Sequence, residues 1–454
     1  MGVITHQEHG NYFQYHPTEE SKTLLQRLLG LEAYQRPKWY CPNIMSLCNL
    51  GHYQLYPNPF TWKQVFEDEE GGTFAVDWAY PETIKATNPV LVIIPGIGGG
   101  EDDPKIDNMG GMAAAQGWIV AVLRHRGWGD LVTTPKVFDG CSLDDLTMLM
   151  KDIQDKYAGS PVAAVGMSAG STMLTRYLGQ EQPPVIAGMS ICNGFRSKNV
   201  LNLERGTLKN RFYSWAIAKK MGQTIARNRK VLKKKEGFDL QKALRSSSLS
   251  EFLGHVVQSV YGYPDIEAYW EANDCISGLP HIRCPVVFLQ PLDDPLFAPS
   301  VRDLIPYEEL RKNKRFMYME VPYGAHLGWL EGLGWKRNRE CFQTRTVRAW
   351  LQWVRDVLIA DKSDDHDPSV EAVPAPAARS TPNPATEAMA DSTVGGVGTL
   401  EGLQTIDVAV EDGGEGDEED RGTGNHVRAE ATEAEDPVAH GKVAPETIVD
   451  ATPL

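Results

Sequence analysis

The chain has 454 residues and a formal net charge of −15, but that charge is unevenly placed. Residues 361–454 hold 22 acidic and 5 basic side chains and no Phe, Trp or Tyr, a net −17 that leaves the first 360 residues at +2. A segment so acidic and so poor in apolar surface cannot offset the entropy of ordering, which excludes it from a packed core: it reads as a disordered acidic tail behind a nearly neutral body.

Residues 1–60 read as an N-terminal entry segment, rich in Pro and aromatic residues from Arg36 to Thr61. Over 61–360, short β-branched runs alternate with better helix formers. Strands are expected at Val90 to Ile94, Ile119 to Leu123, Val162 to Val165, Val286 to Leu289 and Phe316 to Val321. Helices are expected over 106–116, 142–157, 168–178 and 337–360. This alternation gives an α/β class, a mostly parallel, doubly wound sheet. Residues 196–274 interrupt it with a largely helical, basic insert carrying ten Lys and Arg between 209 and 235. An insert there lies over the carboxyl ends of the strands, where open α/β sheets bind ligands, and is a candidate helical lid.

Seven cysteines, odd in number and without a Cys-x-x-Cys pair, argue against a disulfide framework or a zinc site and for a reducing compartment. The first residues carry no signal-peptide core and no Ser or Thr at position six for myristoylation. No apolar run approaches the ~18 residues that cross a bilayer. The expectation is a cytoplasmic protein with peripheral membrane contact at most, made through the basic lid.

The sharpest motif is Gly166-Met167-Ser168-Ala169-Gly170, preceded by Val162 to Val165 and followed by a helical run. Strand, Gly-x-Ser-x-Gly and helix together form a nucleophile elbow, because a serine in so tight a turn needs neighbours without a β-carbon. A serine hydroxyl is a weak nucleophile until a base takes its proton, and in this fold the chain order is Ser, acid, His. Of the eleven histidines, only His326 lies in a loop between the last strand and the terminal helix. The acid is expected after the preceding strand, where Asp293 and Asp294 both stand; position just before Pro295 favours Asp294, leaving Asp293 to cap the turn through an Asx-type bond. The oxyanion donors are expected to be the N–H groups of Ala169 and of Ile97, in the loop Pro95-Gly96-Ile97-Gly98-Gly99-Gly100. That loop has no Gly-Lys-Ser/Thr and no Gly-x-Gly-x-x-Gly opening a helix, so no nucleotide, cofactor or nucleic acid is expected. Arg124-His125-Arg126-Gly127-Trp128-Gly129-Asp130 has the His-x4-Asp spacing of some acyltransferases, but after a strand it reads as a structural turn.

In order along the chain, these residues resemble the embryogenesis-associated, YheT-like α/β-hydrolases, a family holding mammalian acylglycerol and phospholipid lipases and yeast medium-chain acyl-ethyl-ester synthases. The resemblance runs from about Trp39 to Leu358 and includes Asn49 to Gln54, Glu70 to Trp78, Pro95 to Gly99, Gly166 to Gly170, Tyr263 to Trp270, Asp293-Asp294-Pro295 and Gly324 to Trp329. It implies an α/β-hydrolase fold, Ser168 as nucleophile, the Asp293-Asp294 pair as acid, His326 as base, and ester-linked acyl lipids as substrates. Pro95 departs from the His the family usually carries before the oxyanion glycine. The expected activity is hydrolysis of medium- or long-chain acyl esters, with alcohol O-acyl transfer and a catalytically silent scaffold as alternatives.

Overall fold

The computed structural model describes residues 2–360 apart from 39, 48–54, 58, 86, 100–102, 182, 197, 199–206, 298–300, 330 and 332–339. The expectations for the tail at 361–454, and for Asn49 to Gln54, lie outside the described residues.

The elements run β1 (Ile4–Glu8), β2 (Asn11–Tyr15), α1 (Glu19–Leu29), α2 (Pro42–Leu47), β3 (Trp62–Glu67), β4 (Thr73–Ala79), β5 (Val90–Ile94), α3 (Pro104–Ala115), β6 (Ile119–Arg124), α4 (Asp144–Lys156), β7 (Val162–Met167), α5 (Ala169–Leu178) and β8 (Ala187–Ile191). An insert follows, with α6 (Leu208–Arg227), α7 (Arg229–Leu232), α8 (Leu240–Arg245), α9 (Leu249–Val256) and α10 (Ile266–Ala272). The last elements are β9 (Val286–Pro291), α11 (Tyr307–Lys312), β10 (Phe316–Val321) and α12 (Phe342–Trp353).

The strands form one ten-stranded sheet in the order β1-β2-β10-β9-β8-β7-β5-β6-β4-β3. Its centre, from β10 to β6, is parallel, and hairpins extend it at both ends. All five expected strands are present. β8 was not foreseen: Ala187-Gly188-Met189-Ser190-Ile191 carries one β-branched residue and reads weakly as a strand, yet all five are buried in the sheet's middle. Gly188 is needed there, since a Cβ would stand 2.8 Å from a methyl of Leu178 on α5.

The entry segment also proves to be part of the body. β1 and β2 turn through His9 and Gly10, at φ 52° and 81°, the paired left-handed conformation that two-residue hairpins require. β2 then pairs antiparallel with β10, and α1 packs on one sheet face with α3 and α12 through Leu24, Leu25, Met109, Met112, Val347 and Trp350. α4 and α5 cover the other face through Leu146, Leu149, Met173 and Leu174. The insert has an apolar core of its own, centred on Met221, Ile225, Phe252, Leu253 and Val256. No described helix is long and apolar enough to cross a membrane.

Because Phe13 of β2 is fully buried in the core beneath β10, Phe13→Ala should destabilise the whole body by about 3–5 kcal/mol. Urea unfolding would show this as a single transition at a lower midpoint; a midpoint unchanged from wild type would mean that the N-terminal strands do not belong to the core.

Candidate active site

β5 and β7 are neighbours, but the chain leaves β5 toward β6 on one side and returns to β7 on the other. The crevice beyond their carboxyl ends is therefore a topological switch point, where the loops diverge and leave room for a ligand. Ser168 stands there, directly after β7 and before α5, at φ 53° and ψ −122°. So unusual a conformation for a residue with a β-carbon costs of order 1–3 kcal/mol, and the surroundings must hold it. The Ser168 N–H donates to Ile191 O at 2.9 Å, and the Ser171 N–H donates to Ser168 O at 2.9 Å. The flanking glycines supply close approach: a Cβ on Gly166 would lie 2.4 Å from Gly170 O, and one on Gly170 would lie 2.1 Å from Ile94 O.

His326 and Asp294 converge on this serine. Ser168 Oγ lies 2.8 Å from His326 Nε2, and His326 Nδ1 lies 2.7 Å from Asp294 Oδ2. With the proton on Nδ1 donated to the carboxylate, Nε2 is left to accept from the serine hydroxyl. The Asp294 side chain is fully enclosed and that of His326 is 11% exposed, so the pair interacts with little solvent between.

Asp294, favoured as the acid, is the aspartate that meets His326, and the turn-capping bond alone differs from the expectation. The Asx-type bond belongs to Asp294, whose Oδ1 accepts from the Leu296 N–H at 2.9 Å. One carboxylate thus closes its own turn and meets the imidazole. Asp293 instead holds the histidine's loop: its Oδ1 accepts from the Ala325 N–H at 2.9 Å, and its Oδ2 accepts from the Tyr40 hydroxyl. Tyr40 in turn accepts from the Gly324 N–H at 3.0 Å. Burial pushes the Asp293 carboxyl upward in pKa, against the pull of Tyr40 and Ala325. Ser46 of α2, which sequence reasoning did not single out, accepts the His326 N–H at 2.9 Å. Cys192 lies under the Asp294–His326 pair, its sulfur within 4.8 Å of both ligating atoms. Burial, then the charge of Asp294, raises its thiol pKa well above the ordinary range, so it packs there as an uncharged group.

Ala169 opens α5, and its N–H points along the positive end of that helix. Gly96 packs against Ser168, with a Cβ there 2.9 Å from Ser168 Cβ, and Ile97 follows at 36% exposure. The Pro95-to-Gly99 loop is held from behind by His125, whose Nε2 donates to Pro95 O at 2.8 Å while its ring stacks on Phe138. The His-x4-Asp spacing carries no second site, because Asp130 pairs with Lys63 at 2.6 Å and with Arg124 at 3.2 Å. Arg126 bridges Asp145 at 2.7 Å and Asp68 at 2.8 Å, tying the turn to α4 and to the β3–β4 hairpin. Behind this turn is a cavity of about 450 Å³ lined by Arg126, Lys136, Asp144, Asp145 and Tyr263, among others, and by none of Ser168, Asp294 or His326. Its charged groups largely neutralise one another.

The model of the serine aminopeptidase S33 family matches residues 86–261. The chain is 28% identical over 296 residues to the embryogenesis-associated protein EMB8 of Picea glauca, covering 62% of this chain and 64% of that one. The chain has an α/β-hydrolase fold and is similar in sequence to the embryogenesis-associated proteins. It is also 26% identical over 339 residues to the monoacylglycerol lipase ABHD2 of Homo sapiens, covering 65% of this chain and 79% of that one. To the phospholipase ABHD3 of Mus musculus it is 24% identical over 299 residues, covering 64% and 71% respectively. The chain thus spans a little under two thirds of the spruce protein's length.

Two outcomes follow from His125. His125→Ala frees the loop behind Gly96, and misplacing a donor by about an ångström costs up to 10²-fold. The rate at which a fluorophosphonate labels Ser168 should fall about 10- to 100-fold, with partial recovery in His125→Gln, which keeps a donor near Pro95 O. The second outcome concerns acid. Burial holds the His125 imidazole down at about 4, whereas in an unfolded chain it titrates near ~6.5. Above ~6.5 it is neutral in both states. Below that the unfolded chain takes up a proton that the folded chain refuses, so stability should fall as pH drops from about 6.5 to about 4. Urea midpoints across this window should decline less steeply in His125→Gln than in wild type; parallel declines would assign the acid sensitivity to other groups.

Proposed function

We propose that the chain is a serine carboxylic-ester hydrolase acting on medium- or long-chain acyl esters through an acyl-enzyme at Ser168. The observation that carries this reading is the unbroken line from Ser168 Oγ through His326 to Asp294, with steps of 2.8 and 2.7 Å, at the mouth of the switch-point crevice.

Ser168 Oγ attacks the ester carbonyl carbon while His326 Nε2 takes its proton. Asp294 stabilises the imidazolium so formed and holds its Nδ1–H in place. The carbonyl oxygen becomes an oxyanion and receives the N–H groups of Ala169 and Ile97, the first reinforced by the α5 dipole. Collapse of the tetrahedral intermediate breaks the ester C–O bond, and His326 returns the proton to the departing alcohol. Water then attacks the acyl-enzyme with His326 again as base, releasing the acid and restoring Ser168.

The acyl-lipid part of the proposal draws on the relatives named as a monoacylglycerol lipase and a phospholipase. It also draws on the apolar groups around the triad: Phe297 presents its ring edge to His326 at 5.8 Å between centroids, and Ile97 stands partly open beside the nucleophile. The helical insert 196–274 acts as the lid. α6 crosses the crevice, with the Tyr213 hydroxyl donating to Asn43 Oδ1 at 2.8 Å and Lys220 lying over Gly98.

Fluorophosphonate labelling and hydrolysis of a medium-chain acyl ester should both vanish in Ser168→Ala. Asp294→Asn, which leaves the imidazole in the wrong tautomer, should lower kcat by about 10⁴-fold. Asp293→Asn should retain much more activity, because it supports the loop without touching the imidazole. Equal losses in the two aspartate variants would overturn the assignment of roles, and undiminished labelling of Ser168→Ala would overturn the triad. With ethanol or a monoacylglycerol added as acceptor, free acid should remain the main product.

A further inference from the structure

α6 turns its inner face toward the crevice, where Asn210, Tyr213, Ser214 and Met221 are buried. On a surface helix the opposite face is ordinarily polar. Here it carries Leu208, Phe212 and Trp215, spaced to fall on one ridge. Leu208 is 82% exposed and Phe212 46%, and the Phe212 and Trp215 rings meet at 5.5 Å between centroids. Ile44 on α2, next to the Asn43 that receives the Tyr213 hydroxyl, is also 50% exposed. Single apolar side chains on a surface need no explanation. A ridge of them beside the mouth of an active-site crevice does.

Charge selects what covers this ridge. Lys209 and Arg211 are exposed and, by helical spacing, flank it on either side. From residue 207 to 235 the chain carries ten Lys and Arg and no Asp or Glu. A second copy of the same face would bring like charge against like, which disfavours a symmetric dimer here. A protruding apolar ridge with basic flanks matches the depth profile of an anionic lipid surface, acyl chains beneath and phosphates around.

We infer that the outer face of α6 docks on an anionic phospholipid bilayer. Leu208, Phe212 and Trp215 enter the acyl boundary, and Lys209 and Arg211 meet headgroup phosphates. This sets the crevice mouth against the membrane, so that an acyl ester can pass from the lipid phase to Ser168 without crossing water. The route of the ester rests on the hydrolase reading; the docking rests on the surface of α6 and is read separately.

The test is flotation of the full chain, as the Ser168→Ala variant so that no lipid is consumed, with vesicles of phosphatidylcholine plus phosphatidylserine and with phosphatidylcholine alone. The chain should float with the serine-containing vesicles and lose that binding as salt rises. The double variant Phe212→Ser, Trp215→Ser should bind at least ~10-fold less, through lost apolar burial. Lys209→Glu, Arg211→Glu should lose the preference for the anionic vesicles. In the Ser168 background, both double variants should hydrolyse a short, water-soluble ester at the wild-type rate. Failure of the parent chain to float, or equal flotation of the Phe212, Trp215 double variant, overturns the inference. A change from dimer to monomer in that variant, without vesicle binding by the parent, would reassign the ridge to a protein interface. Flotation with no ester hydrolysis by wild type would leave docking standing and remove the hydrolase reading; hydrolysis without flotation would do the reverse.

Discussion

The strained backbone of Ser168 is the constraint on which the surrounding structure depends. An L-residue at φ 53° and ψ −122° is not held there by its own preferences, so β7, α5, β5 and the Pro95 loop must all close around it. They can close only because positions 96, 166 and 170 lack a β-carbon: at each, a methyl would stand 2.9 Å or less from Ser168, Gly170 or Ile94. The tight turn lifts the hydroxyl clear of the sheet and starts α5 at the next residue. One backbone conformation thereby fixes the Ser168 side chain, the close packing of strand on helix, and a helix N-terminus facing the crevice.

His326 is positioned by a different device, a set of hydrogen bonds between residues far apart in the chain. Gly324, Ala325 and His326 donate their N–H groups to Tyr40, Asp293 and Ser46 respectively. Ala325 at φ 52° and Leu327 at φ 59° give the loop its sharp course. Each of these bonds contributes on the order of 1 kcal/mol, but together they leave the His326 ring few orientations other than the one between Asp294 and Ser168. The entry segment is thus a support of the site as well as an edge of the sheet: β2 extends the sheet at β10, and Tyr40 and Ser46 hold the loop that follows β10.

Behind the crevice, a turn with buried charge does comparable work for the Pro95 loop. Arg124 and Arg126 are almost fully buried and are matched by Asp77 at 2.7 Å and by Asp68 and Asp145. Removing one partner would leave an uncompensated charge in the core, so the turn resists rearrangement. His125 sits between these two anchors and passes that rigidity to Pro95 O. α6 of the insert has one face folded onto the body and the other left apolar.

The amino-acid sequence alone determined what depends on local chemistry. Strand, Gly-x-Ser-x-Gly and helix marked Ser168; β-branched runs marked the five central strands; the last strand-to-helix loop marked His326. Those signals lie within a few residues of one another, where periodicity and turn rules act. The sequence was silent on β8, where Gly188 makes room for Leu178 of α5 and where Ala187 and Ser190 carry little strand preference. It favoured Asp294 as the acid but gave the Asx-type bond to Asp293, because adjacent carboxylates differ only in the directions their side chains take once β9 and β10 are in register. Tyr40 and Ser46, and the partner of His125, came into view only in the folded chain. Tyr40 and Ser46 meet their partners across more than 250 residues and His125 across 30, and contacts of that kind leave no trace in local spacing. Tertiary structure decided them because only the closed sheet brings those backbone groups, and the side chains that satisfy them, to the same end of the strands.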